Sequence, residues 1–151
     1  MKPYRVTLVT SEAKDLSELG PVLNPEQAAE AMRPHFGDPS REHLVVLYLD
    51  HGAKPLACET VAVGSLAACA HSPRAILRAA IALQADGIIV GHNHPSGNVA
   101  PSPEDEQATA RLAEACKLVE VYLVDSIIMG HEGKYTSLRQ MAEIQAIRAK
   151  V

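Results

Sequence analysis

Two histidines two positions apart, His92 and His94, are followed by Ser102 and, three residues later, by Asp105. Imidazole and carboxylate are ligand types that suit Zn²⁺. Three protein ligands with one open position make the catalytic pattern for that metal rather than the closed structural one. The expected ion takes His92, His94 and Asp105, with water in the fourth position. Bound Zn²⁺ brings the pKa of such a water down to roughly 7 and polarises a substrate carbonyl. A carboxylate must then accept the water's proton and pass it to the leaving amine. The chain holds 18 acidic residues, and spacing alone does not choose among them. Asp50, Asp86 and Asp125 all fall near expected strand ends.

The elements around these residues explain how they converge. Gly87-Ile88-Ile89-Val90-Gly91 reads as a buried strand leading into His92. Residues i and i+2 of a strand point to one face, so His92 and His94 aim together while Asn93 points away. Pro95 cannot donate to a sheet ladder and stops the strand. Ser102-Pro103-Glu104-Asp105 is a helix start, with Ser102 at the N-cap, Pro103 at the first helical position and Asp105 at the third. Taken alone, that string is only a capping box. What favours a metal is the combination: same-face histidines at the C-terminal end of a strand, where open α/β sheets gather their ligands, and a carboxylate at the next helix start.

The remaining chain supplies a sheet and its cover. Tyr4–Val9 alternates as a short strand. Asn24-Pro25-Glu26 starts a helix through Gln27–Met32 that Pro34 ends. His43–Leu49 is an apolar strand and Pro55–Val63 its hairpin partner across the Asp50-His51-Gly52 turn, which places Glu59 in mid-strand. Ser72-Pro73-Arg74 opens a helix to about Gln84 with Ile76, Leu77, Ala80, Ile81 and Leu83 inward. A helix from Ser102 to about Leu118 turns Leu112, Ala115 and Cys116 inward. Val119–Met129 is a buried strand, and Tyr135-Thr136 a short edge strand. Leu138, Met141, Ile144 and Ile147 recur at helical spacing in a final helix, about 137–149. That stripe packs on its own domain or on a second copy, which leaves a homodimer open. The expected fold is α/β (α+β): one domain over 1–151 with a mixed sheet flanked by helices on both faces.

The string from His92 to Asp105 resembles the H-x-H-x(7)-S-x-x-D pattern of the JAMM (MPN+, JAB) metalloprotease domain. Within that group, His-Asn-His-Pro-Ser-Gly followed by Pro-Ser-x-x-Asp is similar to the bacterial RadC-type family. Glu59 ahead of Gly64-Ser65-Leu66, Ser72-Pro73-Arg74, and Val124–Gly130 add to the resemblance, which runs from about 42 to about 138. It implies a cytidine-deaminase-like JAB/MPN architecture and one Zn²⁺ per chain on His92, His94 and Asp105. It implies a catalytic role for Glu59 as proton shuttle, and for Ser102 as donor to the oxyanion. It also implies hydrolysis of a peptide or isopeptide bond in a protein or peptide substrate. A carboxylate within the apolar run Leu56–Val63 is costly unless something uses it, which agrees with a working Glu59; the plain alternative is a hairpin side chain turned to solvent. Asn93, Ser96 and Asp125 are candidates to orient the ligands. The chain departs from the family at Asp125-Ser126, where Asp-His is usual. It resembles the short, stand-alone form that lacks the family's N-terminal helix-hairpin-helix region.

Composition narrows the alternatives. Apolar residues make up 47% with no Trp and one Phe, so the core is expected to rest on Val, Ile, Leu and Ala. The net charge of −4 argues against strong DNA binding, which needs a basic face. Cys58, Cys69 and Cys116 are odd in number and form no C-x-x-C pair, so reduced thiols in a cytoplasmic protein are expected. No signal peptide opens the chain and no apolar run suits a membrane span. A zinc deaminase would need a glutamate two after the first histidine and a Pro-Cys-x-x-Cys downstream; here position 94 is His. In HNH nucleases the three residues are dispersed, so the contiguous His-Asn-His is coincidental. The remaining alternative is a metal-binding accessory protein of DNA repair or genome maintenance that acts through a partner.

Overall fold

The computed structural model describes Pro3, residues 14–64 and residues 72–149. The expected strand at Tyr4–Val9 and the third cysteine, Cys69, lie outside the described residues. Five strands form one sheet in the order β2-β1-β3-β4-β5, comprising β1 (His43–Leu49), β2 (Pro55–Val63), β3 (Gly87–Asn93), β4 (Tyr122–Met129) and β5 (Tyr135–Ser137). β3 and β4 are parallel; the other pairings are antiparallel, so the sheet is mixed. The helices are α1 (Lys14–Ser17), α2 (Pro25–Met32), α3 (Pro73–Ala82), α4 (Pro103–Leu118) and α5 (Leu138–Ala149).

β1 and β3 are buried at every position, as expected of central strands covered on both faces. One face carries Leu44, Val46, Tyr48, Ile88 and Val90, packed against Ile76, Leu77 and Ala80 of α3 and Leu112 and Cys116 of α4. The other carries Val45, Leu47, Leu49 and Ile89 against Leu16 of α1 and Ala28, Ala29, Ala31 and Met32 of α2. A Cβ at Gly91 would strike the Met32 side chain, so the bare glycine lets α2 lie close to β3 just before the histidines. Burial pushes the Cys116 thiol up to about 11, which makes it an inert core residue.

Local chemistry sets the helix ends. Asn24 Oδ1 accepts from the Gln27 amide at 2.9 Å and caps α2. Pro34 ends the α-helical turns as expected, and Arg33–His35 tighten into one 3₁₀ turn. α3 stops at Ala82, two residues short of the expected Gln84, because Gln84 takes φ +53. Ile81, expected inward, is 55% exposed. At 100° per residue it stands about 90° from the centre of the stripe set by Ile76, Leu77 and Ala80. The strand expected from Val119 begins instead at Tyr122. Val119 closes α4 through the carbonyls of Cys116 and Lys117, and Glu120 reverses the chain at φ +58. No helix among the described residues is long and apolar enough to cross a membrane.

Candidate metal centre

β3 delivers His92 on the α4 side of the sheet, in the same parity as Ile88 and Val90, and the chain leaves the strand after Asn93. His94 stands at the rim. The loop that follows is held by its own polar groups: Gly97 N–H donates to the His94 carbonyl at 2.8 Å, Asn98 N–H to Ser96 Oγ at 3.2 Å, and Ala100 N–H to Asn98 Oδ1 at 2.9 Å. Gly97 has φ +77, and a Cβ there would collide with the His131 ring. The loop brings Ser102 back over the strand end as the N-cap of α4. Ser102 Oγ accepts from the Asp105 amide at 3.1 Å, and Asp105 Oδ2 accepts from the Ser102 amide at 2.8 Å.

This reciprocal cap turns the Asp105 carboxylate toward the histidines. His92 Nε2 lies 3.1 Å from Asp105 Oδ1, His94 Nε2 lies 3.1 Å from Asp105 Oδ2, and the two Nε2 atoms are 3.2 Å apart. Among the described residues these three form the one group of His, Cys, Asp and Glu side chains suited to a metal ion. Four ligands about 2.0–2.1 Å from a tetrahedral ion stand about 3.3 Å from one another, close to the spacing found. Proton accounting points the same way. His94 Nδ1 lies 2.8 Å from the Asn98 carbonyl oxygen, which can only accept, so Nδ1 carries the proton. In the neutral ring Nε2 is then a lone pair facing a carboxylate oxygen and a second imidazole nitrogen. Such a convergence calls for a cation, either a proton or a metal. The donor set and its spacing therefore fit zinc.

Asp105 is 6% exposed. Burial alone would raise its pKa, but the contact with His92 and the hydrogen bonds with Ser102 outweigh it and hold the carboxyl well below the usual carboxylate range. Asp105 therefore stays anionic and ready to ligate.

Glu59 lies on β2, opposite Val46 of β1, which in turn pairs with Val90 of β3. It is thus two strands, or about 10 Å, across from the strand that carries His92. It is not part of the three-residue group. Its side chain is 30% exposed and is not simply turned to solvent. Tyr48 Oη donates to one oxygen at 2.8 Å and the Arg78 guanidinium to the other at 2.6 Å. Burial, with the Glu59 contact adding to it, pushes the Tyr48 pKa far up, so the phenol stays a donor. Neither Tyr48 nor Arg78 was marked by the sequence. They reach Glu59 from β1 and from α3, and only the packing brings them together.

The other acidic candidates lie elsewhere. Asp50 accepts from the amides of Gly52 and Lys54 in the β1–β2 turn, at the opposite end of β1 from His43. Asp86 immediately precedes the start of β3. Asp125 lies on the α2 side of the sheet, where it accepts from Ser137 Oγ and from the amides of Ser126 and Arg139. Of the expected orienting residues, Asn93 instead ties down the entry to β1 through the His43 amide and the Arg41 carbonyl, and Ser96 braces the loop. The group that fixes the His94 tautomer is the Asn98 backbone carbonyl, which no side-chain pattern announces. Ser126 lies on the α4 side, with Thr109 Oγ1 3.3 Å from its hydroxyl, and lines a small cavity of about 20 Å³ beneath His92 and Asp105.

Comparison with known proteins agrees with this geometry. The family model described as RadC-like JAB domain matches residues 22–144. The chain is 42% identical over 119 residues to a UPF0758 protein of Aquifex aeolicus, covering 79% of this chain and 51% of that protein. It is 36% identical over 115 residues to a UPF0758 protein of Streptococcus gordonii, covering 76% and 51%. It is 38% identical over 126 residues to the UPF0758 protein SH1266 of Staphylococcus haemolyticus, covering 83% and 55%. The chain thus spans about half the length of these relatives, whose names state no activity. With its histidine pair, capped aspartate and mixed sheet in the matched region, this chain belongs to the RadC-like JAB domain family.

Proposed function

We propose that this protein is a zinc-dependent hydrolase that cleaves a peptide or isopeptide amide bond. The observation that carries the reading is the convergence of three candidate ligand atoms, His92 Nε2, His94 Nε2 and an Asp105 oxygen, 3.1–3.2 Å apart. Zinc, when bound, supplies a Lewis acid and brings the ionisation of water near neutral pH.

The chain's own residues supply the rest. Glu59 acts as general base toward the attacking water and then returns the proton to the leaving nitrogen. Its hold on Tyr48 and Arg78 keeps it on the α3–α4 face, the face that His92 shares. Arg78 is 63% exposed, so its long side chain can release the carboxylate when substrate enters. Ser102 Oγ uses one lone pair on the Asp105 amide and keeps its proton for the carbonyl oxygen as negative charge builds there. Asn98 holds His94 in the ligating tautomer.

The test is to incubate zinc-loaded protein with a mixed-sequence peptide library and a set of lysine isopeptides, and to analyse the fragments by mass spectrometry. Fragments are expected from the wild type and none from Glu59→Gln or His94→Ala. Equal cleavage by those variants, or none by the zinc-loaded wild type, counts against the reading.

A further inference from the structure

Beside His94, on the α2 side of the sheet end, lies a cleft of about 360 Å³ whose lining includes Phe36, Gly37, His43, Asn93, His94 and Met129. Its volume falls in the range of small-ligand sites. His43, at the start of β1, is 5% exposed. Its Nδ1 lies 2.8 Å from the Arg41 carbonyl oxygen, which only accepts, so Nδ1 carries the proton and Nε2 of the neutral ring is an acceptor. No hydrogen bond among the described residues engages that Nε2. The ring is firmly placed: Asn93 accepts from the His43 amide at 2.7 Å and donates to the Arg41 carbonyl at 3.0 Å, and Phe36 tilts against it at 6.3 Å between centroids.

Gly37 supplies a second, independent observation. Its φ does not lie in the left-handed region, so the backbone does not require glycine there. A Cβ at Gly37 would, however, stand 3.2 Å from His43 Nε2. The bare glycine keeps the acceptor uncovered. Phe36 and Met129 give the cleft apolar walls, and Arg33 and Glu132 bring one charge of each sign, so its charges do not single out an ionic ligand.

We propose that this cleft receives the side chain of the residue that contributes the carbonyl of the bond being cut, and that His43 Nε2 selects a side chain with an apolar body and a terminal hydrogen-bond donor, as in tyrosine. The inference rests on the hydrolytic reading of the metal centre. In that reading the leaving nitrogen must face Glu59, on the α3–α4 side of the sheet. The acyl half of the substrate is then left to the α2 side, where the cleft opens next to His94.

The experiment uses hydroxamates, which bind metal through the group that mimics the scissile carbonyl. Binding of acetohydroxamate and of the N-acetyl hydroxamates of tyrosine, phenylalanine and alanine to zinc-loaded protein is measured by calorimetry at pH 8, where a free imidazole is neutral. Tyrosine is expected to bind about three- to tenfold more tightly than phenylalanine, the scale of one neutral hydrogen bond, and phenylalanine more tightly than alanine. His43→Phe should abolish the preference of tyrosine over phenylalanine. Gly37→Ala should do the same by covering Nε2 while leaving the imidazole in place, which guards against misfolding of the first variant. If acetohydroxamate binds but tyrosine and phenylalanine bind equally to the wild type, the cleft assignment is wrong and the metal centre stands. If tyrosine retains its preference in both variants, His43 is not the selecting group. If acetohydroxamate itself fails to bind, the hydrolytic reading falls and takes this inference with it.

Discussion

Ser102 and Asp105 hold each other: Ser102 Oγ accepts the Asp105 amide at 3.1 Å while Asp105 Oδ2 accepts the Ser102 amide at 2.8 Å. The same Oδ2 is 3.1 Å from His94 Nε2. Starting the helix and aiming the Asp105 carboxylate at the histidines are therefore one structural event. A shift of the cap by one residue would carry the carboxylate away from both histidines.

Ser102 has two proposed duties with different penalties. Ser102→Ala should lose about 0.5–2 kcal/mol of stability as a cap and about 10²–10³ in turnover as an oxyanion donor. Asn caps as well as Ser does, so Ser102→Asn should melt near the wild type yet turn over as poorly as Ser102→Ala. Thermal melts and rates on a cleaved peptide separate the two. Wild-type turnover by Ser102→Asn would reduce the serine to a cap.

Glu59→Gln should keep zinc and lose hydrolysis by roughly 10²–10⁴-fold, the range of general acid–base catalysis. Gln still offers an oxygen to Tyr48 and gives up only the partly exposed pair with Arg78, worth about 0–1 kcal/mol. Zinc content and melting temperature measured beside the rate check this. Loss of zinc in the variant would make Glu59 a ligand or a scaffold residue.

Asp125 lies on the face away from His92 and anchors the β5–α5 junction through Ser137 and Arg139. Asp125→Ala leaves the buried Ser137 hydroxyl and neighbouring amides without this acceptor. It should cost about 1–3 kcal/mol while zinc affinity stays at the wild-type value. Chemical denaturation and a zinc titration make the comparison. A large fall in zinc affinity in folded Asp125→Ala would return this residue to the metal centre.

The strands from β1 onward and the meeting of His92, His94 and Asp105 were legible because both depend on local rules. The alternation of β3 puts His92 on the face opposite Asn93, and the serine–aspartate spacing of a capping box puts Asp105 on the inner turn. What escaped depends on packing. Ile81 reads as core from its type and stands at the edge of its stripe. Val119 reads as strand because it is β-branched, yet the helix closes on it. The link from Asn98 to His94 runs through a backbone carbonyl, and the partners of Glu59 come from β1 and α3. Of the two cysteines described, Cys116 is buried and Cys58 half-buried.

Acid should act on the metal-free protein through Asp105. Its folded-state pKa is lowered relative to an unfolded value of about 3.9. The resulting stabilisation is present above that value and is lost as pH falls toward the folded one. In chelator-treated protein, the stability difference between wild type and Asp105→Asn should therefore be larger at pH 7 than at pH 3. A difference that is constant, or that grows on acidification, would show that the carboxylate is not held in its ionised form.

The most direct measurement is the zinc stoichiometry of chelator-stripped protein after equilibrium dialysis against buffered Zn²⁺. The proposed centre predicts one ion per chain for the wild type, and none retained at the same free zinc by His94→Ala or Asp105→Ala. Zinc well below one equivalent in the folded wild type, or full occupancy in both variants, would contradict the assignment of His92, His94 and Asp105 as a metal centre.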